Sequence, residues 1–99
     1  MMRWLIERQL KQTSVRLRSA REDLAQLDHE VASFVSDADD LRARSLVADR
    51  IDADHDYYEA ERQVEVLRKA REDLRSTIQA LGVRQDELLD RLNSSGPRA

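Results

Sequence analysis

A seven-residue repeat of apolar positions runs through almost the whole chain, and it leaves little choice of fold. In the first half Leu10, Leu17, Leu24, Val31 and Ala38 occupy one line of the repeat. Ile6, Thr13, Ala20, Leu27, Phe34 and Leu41 occupy the other. In the second half Tyr57, Val64, Arg71, Ile78, Gln85 and Leu92 form one line, and Ala53, Ala60, Leu67, Leu74, Leu81 and Leu88 the other. Twenty of these twenty-three positions are apolar, whereas a chain that is 40% hydrophobic would place about nine there by chance. Alternating steps of three and four put a narrow apolar stripe along an α-helix, which is the seam of a coiled coil. Two glycines and one proline are too few for the turns of a sandwich, a barrel or a doubly wound sheet.

The two halves do not share a phase. The first register continues to Ser45 and Ala48, but the second begins at Ala53, five residues later. Coiled coils absorb insertions of three or four residues, not five. A chain reversal explains the break, and the segment Ala48-Asp49-Arg50-Ile51-Asp52 is the expected turn. A competing turn is Ser36-Asp37-Ala38-Asp39-Asp40. The expected fold is all-α: an antiparallel two-helix coiled-coil hairpin, with helix 1 over about 2–47 and helix 2 over about 53–93. The ending Asn93-Ser94-Ser95-Gly96-Pro97-Arg98-Ala99 carries helix-stopping residues, so 94–99 is expected to be a disordered tail.

Folding near residue 50 opposes residues whose numbers total about 100. The helix–helix seam is then Ile6, Leu10, Leu17, Leu24, Leu27, Val31, Phe34 and Leu41 against Val64, Leu67, Leu74, Ile78, Leu81, Leu88 and Leu92. Thr13 and Gln85 fall in one layer, a polar layer able to fix register at some cost in stability. Arg71 falls near Asp28 and Glu30, where its charge can be met at the seam edge. One seam encloses no core, and at this size burial and ordering entropy nearly cancel. Apolar residues also lie off the seam, namely Trp4, Leu5, Val15, Val35, Val47, Ile51, Tyr58, Val66, Val83 and Leu89, and some of them are expected to form a second, weaker face. The expected partner is therefore another copy, assembling a helical bundle, or another helical protein.

Little in the chain points to catalysis, and no cofactor or metal is expected. There is no cysteine and no glycine-rich phosphate loop. His29 is preceded at Glu-x-x-His spacing by Gln26 and His55 by Asp52, so the paired-carboxylate motif of di-iron bundles is missing. An eight-residue echo, Leu17-Arg18-Ser19-Ala20-Arg21-Glu22-Asp23-Leu24 against Leu67-Arg68-Lys69-Ala70-Arg71-Glu72-Asp73-Leu74, falls in different phases of the repeat. It is read as convergence within a biased composition. In size the chain resembles the secreted WXG-motif family of helical hairpins. That family's Trp-x-Gly turn is not matched, because the single tryptophan is Trp4, and the family is not assigned.

Charge is distributed unevenly. The net −3 divides into +5 over residues 1–21, −10 over 22–61 and +2 over 62–99. A hairpin gathers these into an acidic tip and a basic base. Acids at the start of the second helix suit its dipole, whereas Arg3, Arg8 and Lys11 near the start of the first do not. Those cations, with Trp4, Arg16, Arg18 and Arg21, mark an expected partner surface. A non-catalytic structural or protein–protein interaction role is the expected function. The alternatives are nucleic-acid or ribosome binding through the basic first helix, and membrane-surface attachment through residues 1–11. No transmembrane segment and no signal peptide are expected, and the expected location is the cytoplasm.

Overall fold

A computed structural model describes residues 2–48 and 51–95, apart from the side chains of Met2, Ala48 and Ser95. The chain is all-α and forms a two-helix hairpin, with no strand among the described residues. Helix α1 spans Met2–Ala48 and helix α2 spans Ile51–Ser95. The centre of the expected turn, Asp49-Arg50, lies outside the described residues, as do residues 96–99 of the expected tail. The competing turn, residues 36–40, is continuous helix within α1.

The sequence accounts for helices of this length. No glycine or proline interrupts α1, and Gly82 is the one such residue inside α2. Asp52 and Asp54 stand in the first turn of α2, where negative charge meets the exposed N–H groups. Helix α2 runs on through Asn93 and Ser94 to Ser95, beyond the expected stop at 93. The last carbonyls of a helix have no intrahelical partner anyway, so polar residues with modest propensity are tolerated there.

The chain divides into two compact units. One holds residues 2–23 of α1 and 74–95 of α2; the other holds residues 24–48 and 51–73. In the first unit Arg3 reaches the Leu92 carbonyl at 3.5 Å and Gln85 reaches Ser14 at 3.0 Å. Partner numbers rise in α2 as they fall in α1, so the segments are antiparallel. Its core is Leu17, Ala20 and Leu81, with Leu74 and Ile78 packed against them. Ile6 and the fully enclosed Leu88 lie in the same unit.

In the second unit Asp28 faces Arg71 at 3.7 Å, and the Ser45 hydroxyl donates to the Asp54 carboxylate. These segments are antiparallel too. Val31, Ala38 and Val64 are its buried apolar residues. Charge is unlike in the two units: their described residues carry +3 in the first and −7 in the second.

Candidate functional site: two exposed faces of opposite charge

The seam positions differ in how deeply they are held. Ile6, Leu17, Val31, Val64, Leu81 and Leu88 are buried. Leu10, Leu24, Leu27, Leu41, Leu67, Leu74, Ile78 and Leu92 are half-buried, as a seam with no third wall dictates. Phe34 departs from the pattern and is 39% exposed. Two helices provide no far side to enclose a phenyl ring, and alanine at position 60 leaves an open groove beside it.

The polar layer is present in altered form. Thr13 is buried at 7% exposure, but the Gln85 amide donates to the neighbouring Ser14 rather than to Thr13. Ser14 flanks the seam, where a side-chain amide finds a partner without entering the apolar stripe. Periodicity alone marks the layer and not which of two adjacent hydroxyls accepts.

In the first unit, Trp4, Arg8, Lys11, Val15 and Arg18 follow one another along α1 at steps of four, three, four and three. That spacing sets all five on one helical face, and all five are exposed. Trp4 is 59% exposed. Arg3 is engaged by Glu7 at 3.2 Å. Arg8, Lys11, Arg16, Arg18 and Arg21 make no ion pair among the described residues. A groove of about 530 Å³ runs past Gln12, Thr13, Arg16 and Arg84.

In the second unit, Phe34, Leu41 and Ala60 floor a groove of about 400 Å³. Asp37, Asp56 and Glu59 stand at its edge. Glu59 is drawn toward Arg62 at 3.5 Å, whereas Asp37 and Asp56 have no cationic partner among the described residues. Asp39, Asp40 and Glu61 share that condition.

The off-seam apolar residues divide in the same way. Val15, Val83 and Leu89 are exposed in the first unit, and Val47, Ile51, Tyr58 and Val66 in the second. Leu46, absent from the expected set, is 76% exposed. Its place one residue past a seam position was the available signal. Leu5 and Val35 are half-buried instead of exposed. Of the echoed segments, Ala20 is buried and Ala70 exposed, so the two copies present different surfaces.

His29 and His55 are exposed, and no group of three metal-ligating side chains is gathered among the described residues. No described helix is long and apolar enough to cross a membrane. Each unit presents exposed apolar side chains beside a charge of one sign. Comparison of the chain with family models, with curated proteins and with solved structures finds no match.

Proposed function

We propose that this chain is a non-catalytic helical module that works by packing its exposed helix faces against another helical chain, either a second copy or a different protein. The observation that carries the reading is the set of large apolar side chains left in water beside a seam that only two helices close. Val15, Val66 and Val83 are each more than half exposed, and Trp4 and Tyr58 likewise. Burying a side chain of this size is worth about 1.5–3 kcal/mol, so a helical partner has a clear source of affinity. The test is light scattering across a wide concentration range, together with a cross-linking pull-down from source cells. A mass above the 11.5 kDa monomer supports the reading. So does a captured helical protein whose binding is lost on Val15→Ser with Val66→Ser. A monomer at every concentration that retains no protein refutes it.

A second reading, binding of nucleic acid, is favoured by the cations of α1 that have no acidic partner. It requires salt-sensitive retention on RNA or DNA that disappears when Arg16, Arg18 and Arg21 become glutamate. No retention at low salt removes it.

A further inference from the structure

We propose that the basic face of α1 in the first unit docks onto the acidic groove of the second unit in another copy of this chain. This rests on the interaction-module reading above and names the partner as a second copy.

The groove specifies its ligand. Phe34, Leu41 and Ala60 offer an apolar floor, which rewards an aromatic or aliphatic side chain. Asp37 and Asp56 beside it are unneutralised among the described residues, which rewards cations next to that apolar group. The chain itself carries a segment of that description. Trp4 presents an exposed ring, and Arg8 and Lys11 follow it one and two turns on along the same face. Neither cation is held by an acid of its own. Each face supplies what the other lacks.

Pairing unlike units sets a basic surface against an acidic one. Parallel stacking of like units would instead bring −7 against −7. Pairing opposite units also covers Trp4 and Phe34, two large side chains that the chain leaves half in water. The cations near the start of α1, which its own dipole disfavours, then contribute through the partner.

The experiment is a charge exchange read by sedimentation equilibrium. One variant carries Arg8→Glu with Lys11→Glu; the other carries Asp37→Lys with Asp56→Lys. The wild type is expected at twice 11.5 kDa. Each variant alone juxtaposes like charges and is expected to raise the dimer dissociation constant by about a hundredfold. Mixing the two variants in equal amounts restores complementarity between unlike copies and is expected to restore the dimer. Helicity by circular dichroism checks folding, and Asp37→Asn with Asp56→Asn replaces the reversal if helicity falls. A wild type that is monomeric throughout overturns the proposal, while the pull-down still judges the interaction-module reading separately. A wild-type dimer indifferent to both reversals overturns these faces and leaves that reading standing. Retention of RNA by a monomeric wild type, lost on Arg8→Glu with Lys11→Glu, also overturns it.

Discussion

Gly82 lies in the interior of α2, and a methyl group there should make the protein more stable. A glycine inside a helix is worth about 0.8–1.0 kcal/mol less than alanine, because it loses more backbone freedom on folding. Two structural terms can reverse that sign: a collision of the new Cβ, or a backbone conformation closed to L-residues. Neither operates. A Cβ built at position 82 finds no neighbouring atom within 4 Å, and the residue is helical. The open space also means that the methyl gains little packing, so the propensity term stands nearly alone. The expected gain for Gly82→Ala is therefore about 1 kcal/mol, equivalent to about 4–8 °C in melting temperature for a domain of this size. Urea unfolding followed at the helical circular-dichroism band is the assay, at one fixed protein concentration because association adds apparent stability. The midpoint should rise with an unchanged slope, and Ala80→Gly, on an exposed position of the same helix, should lower it by a similar amount. A lower midpoint for Gly82→Ala would refute the reasoning, since it requires another chain lying against residue 82.

Three further outcomes are expected. Leu88 is 0% exposed, so Leu88→Ala should cost about 2–4 kcal/mol by urea unfolding, whereas Leu89→Ala, at 41% exposure, should cost under about 1 kcal/mol. Equal losses would mean that the seam is misplaced. The Asp28–Arg71 pair, at 3.7 Å with both side chains partly in water, should show a coupling of at most about 1 kcal/mol in a double-mutant cycle. Gln85→Leu should raise the unfolding midpoint by removing a polar group from the seam, and should broaden the range of associated masses by loosening register. A sharper mass distribution in that variant would count against the register role of the Gln85–Ser14 bond.

The fold was legible because seam spacing is a property of the chain alone. A residue's place in the repeat fixes which way it faces, and the phase break after Ala48 called for two helices rather than one. Size is not encoded in that way. Phe34 sits on the seam line as surely as Val31, yet it stays partly in water because the small Ala60 leaves beside its ring a groove that two helices do not close. The polar layer was half legible: the repeat places Gln85 at the level of Thr13, but it does not say which neighbouring hydroxyl the amide finds, and that is Ser14. The faces for association were visible as off-seam apolar residues and as uneven charge. Which cations and acids lack partners became visible only once the i,i+3 and i,i+4 pairs were drawn, since Arg3, Arg62, Arg68 and Arg84 are each claimed within their own helix.

Arg71 occupies a seam position that an aliphatic residue would fill more comfortably, and its head turns out toward Asp28. The Arg71 side chain is 26% exposed and that of Asp28 46%, so the pair is still partly in water. A third helix approaching over this layer would have to dehydrate an ion pair, which costs several kcal/mol per charge and is rarely recovered. One approaching over Phe34 and Ala60 dehydrates carbon. On the proposed reading, the arginine is a keep-clear mark that leaves one side of the seam less open to a neighbouring helix.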